Sequence, residues 1–210
     1  MPSVVTLSGS PAERSRSTHL LAAAEDLLRE RGIDVHRIDI RQLPATALVR
    51  GDVGNTELCE ALNAVEHAQA VVIATPLYKS AYSGLLKIFL DLLPQAALSR
   101  KPVLPLATGG SVAHLLALDY ALRPVLASLG AQHILGNVFA SEQDLTWTDG
   151  GYLLTEPVSI RLFDAIDGLA QVIEDAAELR RFRTRDADRI ASTHGAGTRP
   201  IAHLAKAELS

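Results

Sequence analysis

The sequence has one cysteine, one methionine and one tryptophan, and aromatic residues make up only 4% of its 210 positions. The lone Cys59 excludes an intramolecular disulfide and CxxC redox chemistry, so a reducing cytoplasm is the expected setting. The apolar runs stop well short of the ~20 residues of a membrane span. The first residues lack a basic region followed by an apolar signal core, so export is not expected either. The formal net charge of −4 gives no overall pull towards nucleic acid or an acidic membrane. His, Asp, Glu and Cys do not gather at ligand spacing, and no metal is expected; His114 reads as a partly exposed structural histidine.

What is present is material for a globular domain. Hydrophobic residues make up 48% and charged residues 21%, enough for one full core. Charge is uneven, however. From Arg180 onward there are six Arg and one Lys against three acids, with Gly195, Gly197 and Pro200 among them. We therefore divide the chain into a domain over 1–179 and a basic tail over 180–210. The tail reads as a solvated arm or one packed on a neighbouring subunit, since no aromatic interleaving points to nucleic acid.

Strands and helices alternate along the domain. Val4–Leu7 is a short β-branched run that reads as a buried strand. Leu20, Leu21, Ala24, Leu27 and Leu28 share one face of a helix from Ser17 to Arg31, which Gly32 is placed to end. A strand follows at Val35–Ile40, a looser stretch at Pro44–Asn55 and a helix at Thr56–His67. Ala70–Ala74 is apolar throughout, as a strand covered on both faces should be. The pattern continues with a helix at Ala81–Leu93, a strand at Val103–Ala107 and a helix at Ser111–Leu129. A strand near His133–Val138 and a helix at Pro157–Leu179 complete it. This order predicts an α/β fold, a doubly wound, flavodoxin-like five-stranded parallel sheet with helices on both faces. Ligands of such sheets lie beyond the carboxyl ends of the strands, at the switch point beside strand one.

Three loops at those ends are unusual. The first, Ser8-Gly9-Ser10-Pro11-Ala12-Glu13-Arg14-Ser15-Arg16-Ser17-Thr18, joins a strand to a helix N-terminus. Backbone N–H groups and the positive end of the helix dipole converge there. Ser10, Ser15, Ser17 and Thr18 can donate hydroxyl hydrogen bonds, and Arg14 and Arg16 supply charge. The loop lacks both the GxxxxGK[ST] lysine and the three glycines of GxGxxG, so a single terminal phosphate suits it better than a triphosphate or dinucleotide. The same serines also suit a simple helix cap. The second loop runs Thr75-Pro76-Leu77-Tyr78-Lys79-Ser80-Ala81-Tyr82-Ser83-Gly84. Its fixed turn can present backbone donors and the flat side of Tyr78 to a planar ring. The third, Thr108-Gly109-Gly110-Ser111, allows close backbone approach or forms a tight turn into an N-cap.

These stretches, with Asp91-Leu92-Leu93-Pro94 and the run from Leu104 to Leu126, resemble the NAD(P)H-dependent FMN reductases of two-component sulfonate monooxygenase systems. The resemblance covers residues 3 to 140 and weakens beyond. It implies hydride transfer from NAD(P)H to FMN, with FMNH2 leaving for a partner monooxygenase, and no protein acid or base, because the flavin carries the chemistry. By motif match Ser10, Ser15, Arg16, Ser17 and Thr18 would hold the phosphate. Thr75, Pro76, Leu77, Tyr78, Thr108, Gly109 and Gly110 would hold the ring. The family has a basic residue soon after the first loop's proline, whereas here Ala12 and Glu13 intervene before Arg14. Two other readings share the fold: a quinone, azo or metal-ion reductase that retains FMN, and a flavodoxin-type electron carrier.

The fourth helix is apolar almost all round, with Leu115, Leu116, Leu118, Leu122, Val125 and Leu126. A helix on a sheet uses one side only, so this one and the helix holding Leu85, Leu86 and Ile88 predict a homo-oligomer, a dimer or tetramer. Leu86 and Leu122 are placed on that interface. Pro124 lies inside the helix and cannot donate to the carbonyl of Tyr120. In the resembled family a tyrosine at this motif position is an insertion that makes a π-bulge at a tetramer interface near the flavin, which implies that Tyr120 modulates flavin release.

Overall fold

A computed structural model describes residues 3–110, 116–149 and 151–194, with side chains as far as residue 182 except at 180. Ser111 and His114 lie outside the described residues, as do Gly195, Gly197 and Pro200 in the tail. The chain forms two compact units, Met1–Ile173 and Glu174–Ser210.

The first unit is built on a parallel sheet. Strand β1 (Ser3–Ser8) leads through the first loop to α1 (Arg16–Glu30), then β2 (Asp34–Asp39), α2 (Ala45–Arg50) and α3 (Thr56–His67). Next come β3 (Ala70–Tyr78), β4 (Ala81–Tyr82), α4 (Gly84–Asp91) and β5 (Pro102–Gly109). A π-helical turn (Leu118–Leu122) precedes α5 (Arg123–Ser128), β6 (His133–Ile134) and β7 (Val138–Ser141). A hairpin of β8 (Leu145–Thr148) and β9 (Gly151–Leu154) leads to α6 (Glu156–His194). The sheet order is β2-β1-β3-β5, with β6 and β7 both parallel to β5. The expected five-position sheet is therefore present, and its fifth position is two short strands separated by residues 135–137.

Residue alternation splits the core into two layers. Val5, Leu7, Val71, Ile73 and Val103 face α3, α4 and α5 through Leu58, Val65, Leu86, Phe89 and Leu126. Val4, Val72, Ala74, Leu104 and Leu106 face α1 and α6 through Leu20, Leu21, Ala24, Leu162 and Ile166. A buried polar pair interrupts the second layer. Thr6 is fully buried and donates to Glu25 Oε1 at 2.6 Å. Glu25, itself 3% exposed, also accepts from Arg37 Nε at 2.8 Å and an Arg29 guanidinium N–H at 3.2 Å, so its buried charge is paired. Helix α1 ends as the sequence predicts. Gly32 takes φ +71, and the N–H of Ile33 returns to the carbonyl of Leu28.

Four elements differ from the sequence expectation. The looser stretch 44–55 contains the short helix α2. The helix expected from Ala81 starts only at Gly84, because Lys79 and Ser80 adopt left-handed φ values of 50 and 62 and fold β4 back on β3. The final helix continues past Leu179 to His194, consistent with the absence of Gly or Pro between positions 169 and 194. The hairpin β8–β9 was not expected, although Asp149-Gly150 between alternating residues is a hairpin signal.

The fourth helix is broken as the resemblance implied. Arg123 N–H donates to the carbonyl of Leu118, five residues back, and Pro124 has no N–H to give. The placement of Leu86 and Leu122 on an interface is corrected: both are buried within the chain, at 0% and 1% exposure. The sheet claims those positions, and the outward apolar residues are Ile88, Leu116 and Tyr120.

Candidate functional site

The carboxyl ends of β1, β3, β5 and β7 meet at a cleft of about 280 Å3. Ser10, Ser15 and Arg16 line it from the first loop, with Ala12 and Arg14. Pro76, Leu77 and Tyr78 come from the second loop, and Thr108, Gly109 and Gly110 from the third. Nine of the twelve proposed site residues thus converge on one cavity.

The other three stand behind it. Ser17 is buried and its hydroxyl lies 3.0 Å from that of Ser15. The Thr18 hydroxyl lies 2.9 Å from that of Ser8. Thr75 is fully buried; its hydroxyl donates to the carbonyl of Pro76 at 3.0 Å and accepts from Ser83 N–H at 3.0 Å. Each spends its hydroxyl on a protein partner, and this packing is why it supports the loops from behind.

Local chemistry sets the loops. Ser15 caps α1, accepting from Thr18 N–H at 3.3 Å. The N–H groups of Arg16 and Ser17 precede the first intrahelical bond and remain available as donors. The Ser10 hydroxyl accepts from Ala12 N–H at 3.2 Å, which tightens the turn and leaves the hydroxyl proton to donate. Buried Ser83 caps α4 through Leu86 N–H and donates to the carbonyl of Gly9. Through Thr75 and Gly9, Ser83 therefore ties the second loop to the first. Gly9 is required by packing, since a Cβ there would lie 2.9 Å from Leu86 Cβ. At Gly109 the obstacle is Phe139, 3.2 Å from such a Cβ. Gly110, like Gly84 in the second loop, opens onto free space. The third loop thus owes one of its glycines to the core beneath.

Sequence reasoning missed Glu142, which lines the cleft from the turn after β7. Its carboxylate accepts from Arg16 at 2.6 Å. The turn is held by Asp144, which accepts from the Ser141 N–H at 2.8 Å, the Ser141 hydroxyl at 2.6 Å and Thr155 at 3.3 Å. The Ser141 hydroxyl bond, with that backbone bond and Thr155, holds the Asp144 carboxyl below its ordinary value. No motif marks Glu142. Its position at the carboxyl end of the fifth strand was the available signal.

The cleft suits a flat molecule carrying a phosphate. Arg14, Arg16, Ser10 and Ser15 line it from the first loop, beside the free N–H groups at the start of α1, and Pro76, Leu77, Tyr78 and the third-loop glycines line it from the other two. A larger groove of about 530 Å3 between α1 and α6 is lined by Ala23, Leu27, Leu162 and Phe163 with Asp26 and Glu156. It offers no phosphate donor of this kind. Among the described residues no cluster could hold a metal ion, and no helix is long and apolar enough to cross a membrane.

Comparison with known proteins gives the family. Residues 2–146 match the model of the NADPH-dependent FMN reductase family. The chain is 46% identical over 142 residues to an FMN reductase (NADPH) of Escherichia coli, covering 68% of this chain and 74% of that protein. It is 40% identical over 166 residues to an FMN reductase (NADPH) of Pseudomonas putida, covering 78% and 84%. The crystal structure of the apo NADH:FMN oxidoreductase EMOB superposes with a TM-score of 0.74 at 42% identity, covering 80% of this chain and 88% of that one. The family model over residues 2–146 and these relatives place the chain in the NADPH-dependent FMN reductase family.

Proposed function

We propose that the protein treats FMN as a substrate that leaves, reducing it with NAD(P)H and supplying FMNH2 to a separate monooxygenase, one that desulfonates sulfonates. The observation that carries this reading is the Arg16–Glu142 ion pair inside the cleft. A phosphate anchored by Arg16 must compete with a carboxylate already 2.6 Å away, which weakens retention of the flavin.

In this reading Ser10, Ser15, Arg14 and Arg16 hold the phosphate, while Ser17 and Thr18 keep the loop in shape from behind. Pro76, Leu77 and Tyr78 support the ring, with Thr108, Gly109 and Gly110, and Thr75 fixes their turn. The bound flavin supplies the hydride-accepting chemistry. The residues bind, orient and exclude water. The π-helical turn at Tyr120 borders a second subunit of a homo-oligomer and modulates flavin release. Its support is the broken register before Pro124 together with the 79% exposure of Tyr120.

The test is the FMN-to-protein ratio after gel filtration, measured beside NADPH oxidation with and without added FMN. Colourless protein that turns over only with added FMN is the expected result. Stoichiometric yellow flavin with full turnover in its own right would favour a reductase that retains FMN. Deleting Tyr120 should shift the parent from the first behaviour towards the second and slow delivery of FMNH2.

A further inference from the structure

Strand β3 is the longest of the sheet and runs past both of its neighbours. Its last rung with β1 pairs Ala74 with Ser8, and its last with β5 pairs Pro76 with Thr108. Leu77 and Tyr78 therefore project beyond the sheet. The turn Lys79-Ser80 then brings the chain back, pairing Tyr78 with Ala81. At a strand's rise per residue, Lys79 stands roughly 10 Å past the last rung shared with β5. Tyr78 lines the cleft and is half exposed, so this turn lies at the cleft's mouth.

Two features of the turn go beyond what the hairpin needs. A two-residue loop with both φ values positive, here 50 and 62, is the hairpin turn that Asn-Gly forms most readily. Lys and Ser carry a Cβ that opposes this conformation, so the turn holds strain that Asn-Gly would relieve. Backbone outliers of this kind cluster where a ligand is held. The second feature is charge. Lys79 is exposed, and among the described residues it has neither an ion pair nor a hydrogen bond. The second and third loops carry no other charged residue. The cleft's two guanidiniums come from the first loop, where Arg16 meets Glu142 and Arg14 lies over the Trp147 ring, 5.3 Å from its centroid.

We propose that Lys79 recognises a phosphate of the reductant at the mouth of the cleft, and that the left-handed turn holds it there. The proposal rests on the cleft holding FMN with its phosphate on the first loop and its ring against Tyr78. A cleft of about 280 Å3 occupied in this way leaves the diphosphate and adenosine of the reductant outside it, on the side where the nicotinamide enters. An ammonium at that mouth is a point charge suited to a phosphate. The phosphate comes from one of two places, the diphosphate that both reductants share or the 2′-phosphate that NADH lacks. The first contact positions either reductant. The second adds a preference for NADPH.

The test measures kcat and KM for NADPH and NADH at saturating FMN in the parent, Lys79→Asn, Lys79→Arg and Ser80→Gly, beside the FMN dissociation constant and urea midpoints. Lys79→Asn removes the charge and puts a residue suited to left-handed φ into the turn, so the urea midpoint should not fall. Its KM for NADPH should rise about tenfold, with kcat and the FMN dissociation constant changed less than twofold. Lys79→Arg should recover most of the KM. Ser80→Gly relaxes the turn and keeps the charge, so it should raise the urea midpoint and leave KM within twofold. An equal rise in the KM for NADH assigns the contact to the diphosphate, and a rise confined to NADPH assigns it to the 2′-phosphate; either result supports the proposal. An unchanged KM for both reductants in Lys79→Asn would overturn it. So would an equal rise in Ser80→Gly, or a matching loss of FMN affinity in Lys79→Asn, because the turn would then act only by shaping the cleft beside Tyr78. The underlying placement of the flavin fails separately, by equal affinity of the parent for FMN and riboflavin.

Discussion

Helix α1 and the segment from Leu116 to Ser128 follow the first and third site loops and pack on opposite faces of the sheet, yet they are built differently. Along α1, the cap at Ser15, the Glu25 network and the Gly32 terminus satisfy its polar groups within the chain. The other segment breaks into a π-helical turn and leaves Leu116 and Tyr120 at 59% and 79% exposure. A helix that completes its own interactions reports on the fold. One that gives up its register leaves an apolar face that the single chain does not cover, the face proposed above to border a second subunit.

The sharpest way to break this comparison is within the π-helical turn itself. Leu122→Ala should cost about 2–5 kcal/mol, because it removes a fully buried side chain from the sheet face. Tyr120→Ala, two positions away, should stay within about 0.5 kcal/mol of the parent in the unfolding of one chain. Urea midpoints for the two variants check this, and equal shifts would mean that the turn has no distinct inner and outer sides. The next largest effect belongs to α1. Glu25→Ala should cost about 2 kcal/mol, since it strands the Thr6 hydroxyl and unpairs Arg37, though partial exposure of Arg37 softens the loss.

Smaller effects sharpen the role of the turn after β7. Glu142→Gln removes the charge that competes for Arg16 and should tighten FMN three- to tenfold, about 1 kcal/mol, without tightening riboflavin. Weaker FMN binding would mean that Glu142 positions Arg16 instead of contesting it. Asp144→Asn should cost about 1 kcal/mol at neutral pH. The Asp144 carboxyl is held below its ordinary 3.8, chiefly by the Ser141 hydroxyl. Its contribution is therefore present above that value and is lost as pH falls through the lowered one. The stability gap between parent and Asp144→Asn should close in acid, and a gap constant from pH 7 to pH 3 would contradict this.

The parts readable in the sequence are those where one physical rule dominates. Helix α3 falls at Thr56–His67 as its periodicity predicts, and the first loop is legible because a strand, hydroxyls and a helix start are adjacent in the chain. The left-handed turn at Lys79 and Ser80 was not legible, since neither residue favours φ above zero. The split between front and back also escaped. Thr75 and Ser17 carry the same hydroxyl chemistry as Ser10 and Ser15, and only the packing of Ser83 and Ser15 against them turns them away from the cleft.

Sequence by itself determined the parallel sheet, the cleft at its switch point and the residues of the three loops that line it, because periodicity and turn chemistry act over a few neighbouring residues. Tertiary structure decided which side of each helix is left uncovered, that Leu86 and Leu122 belong to the core, and that Glu142 reaches Arg16 from 126 residues away. It also decided that Trp147 stands beside Arg14. Those outcomes depend on which strand ends lie side by side, and that adjacency is set by the order of strands in the sheet rather than by any local run of residues.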